Sequence, residues 1–301
     1  MAAEATWRAM GSDVHVVVVG EPELLLGARR RVGELEHRWS RFLPGSEVSR
    51  MNAHAGDPVV VSRDTRVLVE RALDGWRLTG GLFDPTVLGD VIRAGYDRSF
   101  ELLEQDAGPG ASTMRRGAAD VTVDPHGLVW FPRGVGFDPG GVGKGLAADL
   151  LTEELLDAGA AGALVNVGGD LRVAGESPTG LGWCIDVEGP LDPAPIARVG
   201  LRDGGVATSS RVRRRWKNDG VARHHLIDPR TGAPSATDAP AVTVVAAEAW
   251  QAEVLAKAAF VAGAKAGLDL VASLGAAALT VRADGSTWTT EAGGVRFDAA
   301  A

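Results

Sequence analysis

Cysteine is nearly absent: Cys184 is the only one in 301 residues. That excludes an internal disulfide and fits a reducing compartment. No apolar run approaches the roughly 18 residues a membrane helix needs. Residues Met1 to Met10 hold no apolar h-region and no cleavage site, so no export signal is expected and the expected location is cytoplasmic. Positive charge is in deficit as well, and a net charge of −8 argues against general nucleic-acid binding. The six histidines show no metal-ligand spacing, which speaks against a structural zinc site. Internal repeats and Pro/Ser linkers are also missing, so any division of the chain is expected from packing.

What is present is the composition of a globular protein, with length for one large domain or two modest ones. Glycine is abundant and concentrates in the run from Gly136 to Asp149. There a short apolar stretch ends in Asp138, and a glycine-dense turn opens a helix through Leu150, Leu151, Leu155 and Leu156. Glycine lets backbone N–H groups approach a ligand, a helix start adds unpaired donors, and Lys144 adds a full charge. A pyrophosphate-binding turn is one reading; a tight strand-to-helix turn with no ligand is the other. A P-loop is excluded, because Asp138 and Gly145 stand where glycine and Ser/Thr belong. Gly143 to Ala148 satisfies G-x-G-x-x-A, which keeps a dinucleotide-binding oxidoreductase open as a distant alternative.

In chain order, the pattern predicts a strand from Asp13 to Val19 and a helix carrying Leu24, Ala28, Val32, Leu35 and Trp39. Phe42 to Asp57 reads as irregular. A second helix starts near the N-cap Ser62, turns Val69, Leu73 and Trp76 inward, and stops at Gly80-Gly81. Residues 104 to 118 read as a loop or insertion. Val121 to Val123 and Leu128 to Phe131 form a hairpin. Further strands are expected at Ala163 to Val167, Leu171 to Ala174, Trp183 to Val187, Ala197 to Leu201, His224 to Ile227, Ala241 to Val245, Ala278 to Arg282 and Val295 to Phe297. Few crossover helices separate them between Ala163 and Val245, so antiparallel or mixed sheet is expected there. A helix from about Glu248 to Ala262 and a shorter one follow Val245.

On that late helix Glu253 and Lys257 share a face, roughly 200° round from Gln251. Apolar residues surround them, which suggests a site. His224 and His225, adjacent on the expected strand, would point to opposite faces. The basic run Arg211 to Lys217 reads as a solvated loop, with docking of an acidic or phosphate-bearing partner as the alternative.

Several motifs occur together and in order: Ala9-Met10-Gly11-Ser12, Ser46-Glu47-Val48-Ser49-Arg50-Met51-Asn52, Phe83-Asp84-Pro85-Thr86-Val87, Asp138 to Gly145, Leu164 to Asp170, Ala207-Thr208-Ser209, and His224 to Gly232. In this set the chain resembles the FAD:protein FMN transferases, the ApbE flavin transferase family, from Met10 to about Gly263. The resemblance implies a single α/β domain of the α+β, T-fold-like type. Its sheets would be mixed and largely antiparallel, in two lobes around a flavin cleft. It implies that FMN passes from FAD to a Thr or Ser hydroxyl of an acceptor flavoprotein or flavinylated redox subunit, with release of AMP. Met10 and Phe42 would flank the flavin beside Leu82, Phe83 and Asp84, while Asp138, Lys144 and His225 contact the rest of FAD. His225 or Asp228 would assist proton removal. Mg²⁺ would bridge the pyrophosphate to Gly141, Glu253, Ala256 and Lys257.

Two residues depart from the family pattern at the metal. Glu253 stands for an aspartate, and Lys257 for a threonine; an ammonium has no lone pair to coordinate a metal. Lys257 is therefore expected to pair with Glu253 or the pyrophosphate and partly replace Mg²⁺. Asp106 to Thr113 resembles an acceptor signature, with Ser112 as the self-flavinylation candidate and Thr113 beside it. The alternatives to transfer are an FAD-binding protein without activity and an FAD pyrophosphatase.

Overall fold

The computed structural model describes residues 1–103, 110–190, 192, 194–212, 214–218 and 220–300. The chain forms two compact units, one from Met1–Glu34, Lys144–Val212 and Thr237–Ala301, the other from Leu35–Gly143 and Arg213–Ala236.

The first unit is built on an eight-stranded sheet whose spatial order is its chain order: Ala2–Ala9, Ser12–Val19, Gly162–Val167, Asp170–Gly175, Gly204–Ser210, Ala241–Ala246, Ala277–Val281 and Thr287–Thr290. Every pairing is antiparallel. That excludes the parallel βαβ unit a dinucleotide-binding fold requires. Side chains alternate across the sheet, so each strand supplies both faces. Val14, Val16, Val18, Ala163, Val165 and Val167 pack against Ala148, Leu151 and Leu155 of the helix Gly143–Asp157. Val17, Val19 and Leu164 face the other way, toward Trp183, Ile185, Val187 and Val199. Those four belong to a three-stranded sheet of Trp183–Glu188, Pro195–Leu201 and Asp298–Ala299.

The helix Ala249–Ala262 is buried nearly all round, with only Gln251 and Ala262 outside the buried set. Such a helix belongs to a core. Its first residue is held by two glycines. A Cβ on Gly145 would lie 2.4 Å from the Ala249 carbonyl oxygen, and one on Gly205 would lie 2.3 Å from the Ala249 nitrogen. Asp149 completes the grip by accepting the N–H groups of Ala249 and Trp250, each at 2.8 Å. These donors are the unpaired ones of a helix start, and a carboxylate suits them.

The second unit contains the helix Arg63–Leu78, capped by Ser62, and a small sheet of Val59–Val60, Leu128–Trp130 and Thr122–Val123. Its core gathers Val87, Val91, Ala94, Tyr96, Trp216 and Ile227. Trp216 Nε1 donates to the Ala94 carbonyl at 2.7 Å, which satisfies the one polar atom of its ring.

Several local expectations need correction. The segment expected to be irregular holds the helix Glu47–Ala53, too short to show periodicity but started by Ser46, whose hydroxyl accepts the Ser49 N–H. The helix Leu88–Arg93 was likewise hidden by its length. Strands at Ala2–Ala9 and Gly204–Ser210 are added; the second is rich in glycine and small polar residues and reads locally as a loop. The expected strand from His224 to Ile227 is broken: one strand ends at His224 and the next begins at Ile227. His225 lies in the bend, so strand alternation does not orient it. Near the C-terminus, Val295 makes only an isolated bridge to Ala292, and the strands are Thr287–Thr290 and Asp298–Ala299. Among the described residues, no helix is long and apolar enough to cross a membrane.

Two glycine substitutions should act in opposite directions. Gly145→Ala forces backbone apart and should cost about 1–3 kcal/mol of stability. Gly33→Ala, in a helix with nothing within 4 Å of the added Cβ, should stabilise by up to about 1 kcal/mol. Urea midpoints of the two variants against the parent would check both signs.

Candidate functional site

In the first unit the site begins where the helix Gly143–Asp157 starts. Glu253 sits four residues into the helix Ala249–Ala262, and the clasp on Ala249 brings it to that start. Glu253 Oε2 accepts the Gly145 N–H at 2.8 Å, and Oε1 lies 3.9 Å from Lys144 Nζ. Lys144 also pairs with Asp170. Asp170 arrives through the tight turn Gly168-Gly169, whose residues both have positive φ, 64° and 98°. A side chain at 168 would meet Ser12, with its Cβ 2.7 Å from the Ser12 hydroxyl oxygen.

Two acids therefore share Lys144 inside a buried pocket of charge. Burial pushes the Glu253 carboxyl up to about 7, and Asp170 pushes the same way. Lys144, the Gly145 N–H and Lys257 oppose that rise. Glu253 and Lys257 are 5 % and 7 % exposed, so the pair belongs to the interior and not to a solvated face. Ala256 beside them is fully buried. Asp149 is likewise pushed up by burial, to about 7, against its two backbone N–H donors and Arg172 at 3.3 Å.

Met10 occupies the hairpin turn between Ala2–Ala9 and Ser12–Val19. Its φ of 52° makes it the only non-glycine residue with positive φ among the described residues, and Gly11 follows at 64°. A two-residue hairpin turn of this kind wants Asn or Gly at its first position. A methionine there carries a strain of roughly 1–2 kcal/mol.

In the second unit the residues before the helix are pinned by motif side chains. The Asn52 side chain pairs with Phe137 in both directions, donating to its carbonyl at 2.9 Å and accepting its N–H at 2.7 Å. The Asp138 N–H donates to the Pro85 carbonyl at 2.8 Å. Asp138 Oδ1 accepts the Gly140 N–H at 2.9 Å and lies 3.7 Å from Arg41 Nε. Gly141 follows with a φ of 116°, a conformation that favours glycine. Arg41 lies over two neighbouring aromatic rings, 4.1 Å from the Phe42 centroid and 4.6 Å from that of Tyr96. Burial raises the Tyr96 phenol above its usual range despite Arg214 and Arg41 nearby.

Leu82 is half-buried and Phe83 fully buried at the turn after Gly81. Asp84 Oδ1 is engaged inside that turn, accepting the Thr86 N–H and hydroxyl at 2.7 and 2.6 Å. His225 follows the strand Val221–His224 and is half-buried. Burial would raise Asp228, but Arg230 hydrogen bonds outweigh it and hold the carboxyl below its usual range. A carboxylate held this way is a weak proton acceptor. Ser112 accepts through its carbonyl from Arg93 and through its hydroxyl from the Met114 N–H. Asp106 to Pro109 of the acceptor-like signature lie outside the described residues, as does Arg213 of the basic run.

Sequence reasoning assigned no role to Asp170, Asp149, Arg41 or Tyr96. Asp170 ends the Leu164 to Asp170 motif and Asp149 ends the glycine-rich run from Gly136; each is an acid beside a glycine or a small residue, which was the available signal. Arg41 and Tyr96 are 55 residues apart, and nothing local announces their contact.

Known proteins are similar to this chain in sequence and in fold. The chain is 35% identical over 245 residues to the FAD:protein FMN transferase of Treponema pallidum, a match covering 72% of this chain and 65% of that protein. The chain thus spans about two thirds of that relative's length. It is 28% identical over 270 residues to the FAD:protein FMN transferase of Vibrio cholerae serotype O1, covering 86% of this chain and 81% of that one. The crystal structure of the ApbE protein from Thermotoga maritima superposes with a TM-score of 0.86 at 29% identity, covering 97% of both chains. The description of the ApbE family matches residues 10–280, and the chain belongs to that family.

Proposed function

We propose that this chain transfers FMN from FAD to a hydroxyl of an acceptor protein. The names of its relatives, FAD:protein FMN transferases, support the reading. So does one local observation: Lys144 in the first turn of a helix, its ammonium backed by Asp170. A helix start and a fixed cation suit the diphosphate of a nucleotide.

In this reading the acceptor is a Thr or Ser. Its oxygen bonds to the phosphorus on the FMN side of the diphosphate. The bond from that phosphorus to the bridging oxygen breaks, and AMP leaves with that oxygen. The hydroxyl proton passes to a base or to solvent. Of the two expected bases His225 is the better acceptor, because Arg230 stabilises the Asp228 anion. Lys144 opposes charge that grows on the phosphoryl oxygens, which is where this chemistry gains most. Further FAD contacts in the proposal are Met10, Phe42, Leu82, Phe83, Asp138 and His225, with Asp84 shaping its own turn. Phe42 offers an aromatic face already backed by Arg41.

A bound Mg²⁺ would supply positive charge to the diphosphate, held by Gly141, Glu253, Ala256 and Lys257. The donor set does not fit it. Magnesium asks for near-octahedral oxygen ligands. Here Glu253 already accepts the Gly145 N–H and faces Lys144, and Lys257 offers an ammonium. Among the described residues no group of three or more His, Cys, Asp or Glu is assembled to hold a metal ion.

Incubation with FAD and a candidate acceptor, followed by intact-mass measurement and nucleotide chromatography, tests the assignment. The expected products are AMP and an acceptor heavier by one FMN. AMP with free FMN would instead make the chain a pyrophosphatase, and no AMP would make it a binding protein. Met10→Asn relieves the turn, so it should raise the thermal midpoint while weakening FAD binding several-fold. Differential scanning calorimetry and flavin fluorescence titration read the two effects separately.

A further inference from the structure

Glu253 creates an electrostatic problem for any anion at this helix start. It spends the Gly145 N–H, one of the donors an incoming phosphate would use, and it sets a buried carboxylate beside the place. Asp170 adds a second, 3 % exposed. A diphosphate approaching two carboxylates in a low-dielectric pocket would be repelled unless fixed cations offset them. Lys144 alone does not, since it serves both acids.

Lys257 supplies the missing charge. It lies one helical turn beyond Glu253, on the same face of Ala249–Ala262, and is 7 % exposed. Its charge acts on Glu253 directly, lowering the carboxyl's affinity for a proton. The surrounding helix residues Val254, Ala258 and Val261 are apolar and buried, so the ammonium is rooted in an interior stretch of the helix.

Resting on the flavin reading above, we infer that the Lys257 ammonium takes the place of a divalent cation beside the FAD diphosphate, offsetting the two carboxylates together with Lys144, so that this chain binds and cleaves FAD without added metal. The fixed ammonium has two consequences. Nucleotide affinity becomes insensitive to chelators, and a dication is repelled from the pocket. Lys257 is a binding residue in this scheme, acting on the phosphate oxygens alongside Lys144. The bonds made and broken are those of FMN transfer to the acceptor hydroxyl, and no further reactant enters.

The test is FAD binding by flavin fluorescence, with AMP release in parallel, in EDTA and in millimolar Mg²⁺. Calorimetric titration of Mg²⁺ into the mixture of parent protein and FAD complements it. The parent should bind FAD equally in both buffers and take up no Mg²⁺. Lys257→Thr should lose about tenfold or more in affinity in EDTA and recover it with Mg²⁺, as expected when one buried partner of an ion pair is removed. Lys257→Arg keeps the charge and should keep the indifference to metal. Binding by the parent only with Mg²⁺, or a calorimetric Mg²⁺ site in the parent, would overturn the inference while leaving FAD as substrate. Absence of FAD binding in either buffer would overturn the flavin reading and this inference with it. Should Lys257→Thr fail to fold, as circular dichroism would show, the calorimetry on the parent and the arginine variant still decide.

Discussion

The contact between the Glu253 carboxylate and the Gly145 N–H joins residues 108 apart in sequence. It closes one helix onto the start of another, and Lys144, Asp170 and Lys257 gather around it. The contact requires a glycine at 145, because a side chain there would strike the backbone of Ala249. It requires Asp149, which holds the first turn of the later helix by two N–H groups. It also requires Asp170, which shares Lys144 with Glu253 and so keeps the lysine near. Removing Asp149 leaves the Ala249 and Trp250 N–H groups without that acceptor, and removing Glu253 does the same to the Gly145 N–H; an unpaired polar group in a buried place costs more than a surface contact gains.

The second unit solves a simpler problem by different means. There the backbone at Phe137 and Asp138 is fixed mainly by uncharged hydrogen bonds, from the Asn52 amide and the Pro85 carbonyl. The Ser46 to Asn52 motif thus reads as a positioning device: Ser46 starts the helix, Glu47 receives the Ser62 N–H and hydroxyl, and Asn52 at the far end reaches Phe137. Its chemistry is that of a bracket.

The sequence displayed much of this framework because its signals are local. Ser62 and the apolar spacing after it mark a helix, and the valines at 14, 16 and 18 mark a strand with one buried face. The motif set was legible as a family for the same reason: each piece is a short run with a fixed turn or cap. What stayed hidden depends on distance or on backbone conformation. Gly205 looks like a loop residue until Ala249 is seen against it, and Met10 looks ordinary until its φ is known. The break after His224 could not be read either, since His225 and Leu226 continue a plausible strand composition. Glu253 and Lys257 were singled out by helical spacing and the resemblance put Lys144 at the same diphosphate, but nothing in either announced that Asp170 would pair with that lysine.

The eight-stranded sheet keeps its strands in the order in which the chain is written. All the residues of the second unit therefore hang from two of its inter-strand connections, the one after Val19 and the one after Ser210. The entropic cost of closing a connection grows only with the logarithm of its length. Residues can thus be gained or lost within those two excursions at small thermodynamic cost. The pairing of Val19 with Gly162 and of Ser210 with Ala241, which sets the register on either side, does not depend on how long the detour between them is.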